Sequence, residues 1–299
     1  MPRQAYVNGR YLPHSRAAVH IEDRGYQFAD GVYEVVPVHN GVIVDEEPHL
    51  DRLERSLGEL RIAMPMSRQA IKLVTRELMR RNRLTNGFLY MQVTRGVAPR
   101  DHKFPTDATP ALVMTTRQMA PPSPEKLAEG IAVVTVPDIR WKRCDIKSVS
   151  LLPNVLAKQE ATDAGAYEAW MVDSEGFVTE GSSTNAWIVT QDDKLVTRQA
   201  DSGILNGITR IALIKLLEDT GVTLEERPFT VEEAKAAREA FITSSTNFVM
   251  PVTSIDGAPV GNGHPGILTG KLRATYVSYA EEQGEAEAQA AAEERAGAA

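Results

Sequence analysis

The sequence has 299 residues, of which 42% are hydrophobic and 24% are charged, and its formal net charge is −7. This composition is ordinary for a globular protein with one large domain or two smaller ones, and it excludes a fibrous or low-complexity chain. The acidic balance argues against nucleic acid as the main partner, because proteins that bind nucleic acid usually present a basic surface.

The single cysteine, Cys144, cannot form an internal disulfide, so the core must be stable without one. The N-terminal segment lacks the apolar stretch of a signal peptide. No apolar run reaches the length that spans a membrane. We therefore expect a cytoplasmic protein that has no membrane partner.

The first part of the chain alternates strands with turns and helices. "YVNGRYLP" and "PVHNGVIVD" each place Asn-Gly between apolar residues, which predicts two hairpins. The leucines of "HLDRLERSLGEL" recur at helical spacing, and a second helix is predicted over residues 67–81 with Ser67 as its N-cap. "FLYMQVTRG" and "ALVMTTRQ" have the composition of strands.

The second part of the chain begins after the proline-rich stretch "MAPPSPEK", which is typical of a linker. A strand, a helix behind Leu151, a hairpin through "YEAWMVDSEGFVTEG" and a helix ended by Gly221 follow. These patterns predict an α+β fold with two mixed domains, at residues 1–118 and 125–283. A linker at 119–124 joins them, and an Ala/Glu-rich tail covers 284–299.

Lys147 is the first candidate for chemistry, because it lies among apolar residues at a transition from strand to helix in "RCDIKSVSLLPN". Most lysines are solvated, and a surface position is the ordinary alternative. A lysine in a partly desolvated pocket can instead serve as a nucleophile or a base.

Polar segments downstream supply possible companions. Glu180 precedes a glycine and three hydroxyl residues, so it is either part of a turn or a carboxylate directed into a pocket. Free N–H groups at a helix N-terminus bind phosphate, and "NGITR" places Ile208 and Thr209 at such an end. Ser244 and Ser245 follow a strand as further phosphate donors, and Arg52 is the candidate cation, with an exposed helix charge as its alternative.

Motifs of other enzyme classes are missing from the sequence. It contains no GxSxG, HExxH or CxxC motif and no GxGxxG placed after a strand. A lysine, a carboxylate and dispersed phosphate donors meet the needs of pyridoxal 5'-phosphate, which requires a Schiff-base lysine, an acidic partner for its ring nitrogen and a phosphate site.

The sequence also resembles a known family. The segments "EDRGYQFADGVYEVVPVHNG", "HLDRLERS", "QVTRGVAPRDHKFP", "CDIKSVSLLPNVLAKQEA", "VTEGSSTNAWIV" and "GILNGITR" are similar to the class IV pyridoxal-phosphate aminotransferases, and most similar to the bacterial D-amino acid aminotransferases. The resemblance covers about residues 6–257. It implies a fold type IV enzyme with the cofactor between two domains, acting as a homodimer.

The resemblance also implies roles for individual residues. Lys147 matches the lysine that forms the Schiff base and moves the substrate's proton. Glu180 matches the carboxylate that pairs with the ring nitrogen, and Leu205 an apolar residue against the ring. Arg52, Ile208, Thr209 and Ser245 match the phosphate site, with Ser244 beside it.

Recognition of the substrate carboxylate is implied for Arg100 and His102 of "PRDH", reaching in from the partner subunit, and for Tyr33. The expected reaction is a ping-pong transamination between a D-amino acid, such as D-alanine, and a 2-oxo acid, such as 2-oxoglutarate. Three alternatives share the fold: a branched-chain L-amino acid aminotransferase, an amine transaminase and a 4-amino-4-deoxychorismate lyase. A non-catalytic protein that kept the fold is a further alternative.

Overall fold

The protein divides into two compact units, each assembled from separate stretches of the chain. A computed structural model describes residues 3–218 and 220–297, with side chains up to residue 284. Lys147 belongs to the first unit, although the domain ranges predicted from sequence put it in the second domain. The predicted domain ranges, the predicted linker and the predicted position of the cofactor between the domains stay predictions. The first unit comprises Met1–Ala120, Ile146–Ser150 and Ala280–Ala299, and the second comprises Pro121–Asp145 and Leu151–Tyr279.

The first unit is built on a six-stranded sheet. Its strands are β1 Gln4–Val7, β2 Arg10–Pro13, β3 Gly31–His39, β4 Val42–Ile43, β5 Gly87–Thr94 and β6 Ala111–Gln118. They lie in the order β2-β1-β6-β5-β3-β4, and all neighbours are antiparallel. Both predicted Asn-Gly hairpins are confirmed. Asn8 and Asn40 have φ of 43° and 51°, which suits the tight turns that join strands in hairpins.

Helices cover this sheet and close its core. They are α1 Arg24–Phe28, α2 Glu46–Glu59 and α3 Arg68–Asn82, and a 3₁₀ turn spans His14–Arg16. The predicted amphipathic helix is confirmed, because Leu50, Leu53 and Leu57 of α2 are buried in the core of the unit. Ser67 caps α3, as predicted, by accepting a hydrogen bond from the Ala70 N–H at 3.3 Å. The short helix α1 was not predicted.

The second unit contains a nine-stranded mixed sheet. Its strands are β7 Ile131–Pro137, β8 Glu168–Val172, β9 Val178–Gly181, β10 Asn185–Val189, β11 Lys194–Thr197, β12 Thr223–Glu226, β13 Glu239–Ser244, β14 Phe248–Ile255 and β15 Ala258–Pro259. Eight strands follow the order β12-β11-β10-β13-β14-β7-β8-β9, and β15 pairs with β14. The predicted α+β fold class is confirmed.

The helices of the second unit are α4 Pro124–Glu129, α5 Leu152–Asp163, α6 Ile208–Leu217 and α7 Val231–Lys235. Two boundaries differ from the sequence prediction. Ser123 caps α4, so a helix begins inside the stretch predicted as a linker. Helix α6 ends at Leu217 and does not continue to Gly221, because the Thr220 N–H turns back to the Leu217 carbonyl.

A last helix, α8 Ile267–Gly297, ends the described chain. Its residues Leu272 and Tyr276 are buried in the core of the second unit, where the rings of Trp187 and Phe241 stack at 5.5 Å. The helical backbone continues into the predicted tail, but the side chains after residue 284 lie outside the described residues. Within the part of the chain that the structure describes, no helix is both long and apolar enough to cross a membrane.

Candidate active site

Lys147 lies in a short segment that pairs with the beginning of β3. The Tyr33 N–H donates to the Lys147 carbonyl at 3.0 Å, and the Val149 N–H donates to the Gly31 carbonyl at 3.1 Å. The Lys147 N–H in turn donates to the Ser56 hydroxyl of α2 at 3.4 Å. The main chain of this lysine is therefore positioned by backbone pairing with β3 and by a hydrogen bond to α2.

The amine of Lys147 is next to an aromatic ring. Its Nζ is 4.4 Å from the centroid of the Tyr33 ring, which lies 5.7 Å from the ring of Tyr90. An ammonium over an aromatic face is stabilised by about 0.5–2 kcal/mol. The neighbouring Ile146 is buried in the hydrophobic core. The structure therefore brings together Lys147 and Tyr33, which the sequence analysis selected for different roles.

Arg52, the predicted phosphate cation, makes a two-pronged bond to a buried carboxylate. Its Nε and Nη2 donate to Glu34 Oε1 and Oε2 at 2.8 and 2.7 Å. His49 Nδ1 is 2.7 Å from the same Oε2. Burial alone raises the pKa of Glu34, but the charge and hydrogen bonds of Arg52 and the contact with His49 outweigh it and lower that pKa to about 2. Burial also lowers the pKa of His49, which favours its neutral form.

We expect Glu34→Gln to destabilise the protein by about 3 kcal/mol at pH 7, since Arg52 would lose the charge that compensates its burial. The pKa of Glu34 is lower in the folded chain than its ordinary value of 4.5, so its contribution is present above pH 4.5 and is lost as the pH falls towards 2. Urea unfolding of both proteins between pH 7 and pH 3 measures the difference, which should shrink at low pH.

The matched control for this experiment is Glu59→Gln, on an exposed part of the same helix α2. Exposed carboxylates contribute little, so this variant should unfold like the wild type. A difference between Glu34→Gln and wild type that stays constant over the whole pH range would contradict the assigned charge pairing.

Arg100 and His102, the predicted carboxylate ligands, lie in the connection between β5 and β6. The connection is not a strand, so strand alternation does not align them. They nevertheless share a neighbour: the Arg100 guanidinium carbon is 4.6 Å, and the His102 ring centroid 5.4 Å, from the centroid of Phe28. Both side chains are exposed on the single chain. The structure therefore brings this pair together by packing on one aromatic ring.

Glu180 is buried in β9 of the second unit and is surrounded by donors. The Leu205 N–H lies 3.1 and 3.2 Å from its two carboxylate oxygens, and Asn185 Nδ2 donates to Oε2 at 3.1 Å. A guanidinium nitrogen of Arg140 contacts Oε1, and Arg140 also pairs with Asp138 at 2.7 Å. Two neutral donors and one cation thus hold an ionised carboxylate in one orientation.

Burial acts to lower the pKa of Arg140, but the bond to Asp138 and the charge of Glu180 outweigh it and raise that pKa above its usual range. Burial likewise acts to raise the pKa of Asp138, and Arg140 reverses the effect and lowers it. Arg140 therefore remains a cation beside Glu180 at neutral pH.

The N-terminus of α6 has the properties of an anion site. Ile208 and Thr209, its first residues, are buried, and no side chain caps the helix at Gly207. A Cβ atom on Gly207 would lie 2.2 Å from Asn185 Oδ1, so the close packing here requires glycine. Backbone N–H groups and the helix dipole at such an end favour a phosphate.

Ser244 is the last residue of β13, and Ser245 begins the turn that follows it. Ser244 Oγ accepts a hydrogen bond from the Asn247 N–H at 3.2 Å, which fixes this turn. Asn185 pairs with Thr243 across the sheet, and Thr243 directly precedes Ser244. Asn185 thus connects Glu180 and Leu205 to the two segments predicted to bind phosphate, which are the start of α6 and the end of β13. The structure brings these residues to one end of the second sheet.

Three residues of this arrangement were not singled out by the sequence analysis. Asn185 lies within the segment "GSSTNAW", which directly follows Glu180 in the sequence, and this closeness could have indicated a contact between the two side chains. Glu34 and Arg140 gave no comparable signal, because an isolated charge in a sequence does not reveal that it is buried beside an opposite charge far along the chain.

Each unit provides some of the chemical groups that bind pyridoxal 5'-phosphate. The first unit provides a lysine amine beside the Tyr33 ring. The second provides the oriented carboxylate of Glu180, suited to a protonated ring nitrogen, and a helix N-terminus without a side-chain cap. These are the amine, acidic partner and phosphate donors that this cofactor requires.

Comparison with known proteins agrees with this chemistry. The family model described as "Amino-transferase class IV" matches residues 31–255, which include Lys147 and Glu180. The chain is a class IV aminotransferase.

Two curated relatives of this class IV aminotransferase are D-alanine aminotransferases. The protein of Bacillus licheniformis is 44% identical over 262 residues, which cover 88% of this chain and 92% of the relative. The protein of Staphylococcus aureus (strain COL) is 41% identical over 277 residues, which cover 92% of this chain and 97% of the relative. The predicted resemblance to the class IV enzymes is therefore confirmed.

Solved structures share the fold of this class IV aminotransferase. The branched-chain amino acid aminotransferase of Escherichia coli has a TM-score of 0.86 at 23% identity, covering 94% of this chain and 95% of that one. The branched-chain enzyme of Thermobaculum terrenum, solved in its PLP form, has a TM-score of 0.81 at 25% identity, with coverages of 94% and 95%. These likenesses confirm the predicted fold type.

Proposed function

We propose that this enzyme transfers the amino group of a D-amino acid, such as D-alanine, to a 2-oxo acid, such as 2-oxoglutarate. The observation that carries the proposal is the similarity to D-alanine aminotransferases over most of both chains. The adjacent cation Arg100 and imidazole His102 support it, because a substrate carboxylate requires such donors.

Class IV aminotransferases use pyridoxal 5'-phosphate, so the predicted cofactor is confirmed. When bound, it supplies an aldehyde that bonds covalently to amines and a ring that accepts the electron pair left when the substrate's Cα loses its proton. The protein's residues supply attachment, orientation and proton transfer.

Lys147 is the residue to which we assign covalent attachment and proton transfer. Nζ would hold the aldehyde carbon of the bound cofactor. Once free of it, Nζ would take the proton from the substrate's Cα as a general base and later return a proton as a general acid. The Tyr33 ring, 4.4 Å from Nζ, restricts the freedom of the amine. The backbone pairing of the segment fixes the main chain from which the Lys147 side chain extends.

Glu180 is assigned to the cofactor's ring nitrogen. Arg140, Asn185 and the Leu205 N–H hold its carboxylate in an ionised, oriented state, which suits it to accept a hydrogen bond from a ring N–H and to stabilise the positive charge there. The proposed phosphate ligands are Arg52, Ile208, Thr209, Ser244 and Ser245, with Leu205 against the ring.

Arg100, His102 and Tyr33 are assigned to the substrate's carboxylate. The guanidinium offers two parallel donors, and the imidazole and phenol add one each. A homodimer in which the partner subunit supplies Arg100 and His102 is part of the proposal, as is a cytoplasmic location. Light scattering of the purified protein tests the first, and fractionation of cells tests the second.

The function is tested with D-alanine, L-leucine and a primary amine without a carboxylate as amino donors, each with 2-oxoglutarate. We expect D-alanine to give the highest kcat/KM. Arg100→Ala should raise the KM for D-alanine by roughly 30-fold or more, since the carboxylate loses a charged partner, and should leave the KM for the amine unchanged.

Arg117→Ala serves as the control, because Arg117 is an exposed arginine on β6 of the same unit. Preference for L-leucine would instead identify a branched-chain enzyme, and preference for the amine an amine transaminase. An unchanged KM for D-alanine in Arg100→Ala would refute the proposed carboxylate site.

A further inference from the structure

The loop that carries the proposed carboxylate ligands, residues 100–104, is fastened by a buried side chain. Arg24, at the start of α1, is only 3% exposed. Its Nη1 donates to the Asp101 carbonyl at 2.6 Å, and its Nη2 lies 3.5 Å from the His102 carbonyl. The backbone on either side of the His102 side chain is therefore tied to one guanidinium.

Arg24 is itself held by a carboxylate that it shares with a second arginine. Its Nε donates to Asp30 Oδ2 at 2.8 Å, and Arg95 donates to both oxygens of Asp30 at 2.8 and 2.9 Å. The guanidinium of Arg95 lies 3.7 Å from the centroid of the Phe104 ring and donates to the Leu60 carbonyl at 2.8 Å. One partly buried carboxylate thus connects two buried arginines that contact the loop at different points.

Burial acts to raise the pKa of Asp30, but the hydrogen bonds and charges of Arg95 and Arg24 outweigh it and lower that pKa. Asp30 therefore stays ionised at neutral pH, and both arginines keep their shared partner. Removing one member of such a buried group is costly, because the others are left without their full charge compensation.

Phe28, at the other end of α1 and on the same helix face as Arg24, completes the arrangement. Its ring centroid is 4.7 Å from the Arg24 guanidinium carbon and 4.6 Å from that of Arg100, and the His102 ring lies at 5.4 Å. The exposed Arg100 and His102 therefore rest on a half-buried ring at the C-terminal end of the helix that carries Arg24. A flexible arginine held against a ring loses less freedom when it binds a ligand.

We infer that Arg24, held by Asp30 and assisted by Phe28, is a positioning residue for substrate: it sets the place of Arg100 and His102 and so the affinity of the enzyme for the substrate's carboxylate. The inference rests on the proposed function. Arg24 acts through the loop backbone and is not assigned any contact with substrate. It therefore affects binding of the carboxylate and leaves proton transfer at Lys147 intact.

Arg24→Met tests this inference in the cofactor-loaded enzyme. This variant retains length but removes every donor. We expect the KM for D-alanine and the Ki for propionate, a carboxylate without an amine, to rise by about tenfold, and kcat to stay within about threefold of wild type. Arg24→Lys keeps the cation and some donors and should recover part of the affinity. Arg117→Met, the same change at an exposed site, should match wild type.

A readout independent of turnover is amide hydrogen exchange of residues 100–104, which should become faster in Arg24→Met. If Arg24→Met does not fold, Phe28→Leu tests the same arrangement through the ring contact with Arg100, and it should raise both constants with little change in kcat. A fall in kcat without a change in KM and Ki, or no change at all, overturns the inference.

Failure of this inference is distinguishable from failure of the proposed function. If Arg100→Ala raises the KM for D-alanine while Arg24→Met and Phe28→Leu do not, only the positioning role is wrong. If wild type does not accept D-alanine, or Arg100→Ala has no effect on its KM, the proposed function itself is wrong.

Discussion

Replacing Lys147 with alanine should lower the transamination rate by about a thousandfold or more, because both the attachment of the cofactor and the base for the Cα proton would be lost. The segment around residue 147 is held by backbone bonds to Gly31 and Tyr33, so the fold should survive the substitution. Steady-state assays with D-alanine and 2-oxoglutarate measure the loss, and thermal unfolding confirms that the variant is folded.

Covalent trapping gives a second readout for the same residue. Borohydride reduction of the wild type with pyridoxal 5'-phosphate should label the peptide that contains Lys147, as seen by mass spectrometry, and Lys147→Ala should not be labelled there. Lys142→Ala, an exposed lysine in the same stretch, is the matched control and should behave like wild type. Full turnover by Lys147→Ala, or labelling at a different lysine in the wild type, would exclude the assignment.

Glu180→Gln should reduce kcat by about a hundredfold with a smaller effect on KM, because a neutral amide cannot stabilise a positive ring nitrogen. The amide retains a carbonyl oxygen for the Leu205 N–H, and Arg140 retains Asp138 as a partner, so we expect the variant to fold. Stopped-flow measurement of the half-reaction with D-alanine isolates this effect from product release.

A second variant, Glu180→Asp, distinguishes the effect of the charge from the effect of the side-chain length. It keeps the charge on a shorter side chain, and it should recover part of the activity lost in the glutamine variant if charge is the decisive property. Equal losses in both variants would show that the length of the side chain decides, and a Glu180→Gln enzyme with wild-type kcat would remove Glu180 from the reaction.

The pairing of Arg52 and Arg140 with carboxylates has a consequence for engineering. Arg52 is paired with Glu34, and Arg140 with Asp138 and Glu180, so each arginine is stabilised by a buried carboxylate. Exchanging either arginine for lysine would lose the planar two-pronged geometry, and such changes are not conservative at these positions. Substitutions aimed at a new substrate are better directed at the exposed loop of residues 100–104.

Much of the candidate site could be predicted from sequence because its residues lie in segments with local signatures. The Asn-Gly hairpins, the leucine stripe of α2 and the glycine before α6 each depend on interactions within a few residues, which a sequence records directly. The roles of Leu205, Tyr33, Arg100 and His102 came from resemblance to a family, and no local pattern would have selected them.

The charged and polar contacts that hold the site together could not be predicted from local sequence patterns. Arg140 and Glu180 are 40 positions apart, and Arg24 and Asp101 are 77 apart. Which charges are buried together depends on strand register and on how helices pack, and these are properties of the whole unit.

The linear sequence therefore determined the fold class, the family and the set of chemical groups available, since each follows from local pattern or similarity. The tertiary structure decided how those groups are held: Lys147 against the Tyr33 ring, Glu180 among three donors, and Arg100 with His102 on Phe28. The physical reason is that the cost of burying a charge is offset only by partners that folding brings within hydrogen-bonding distance.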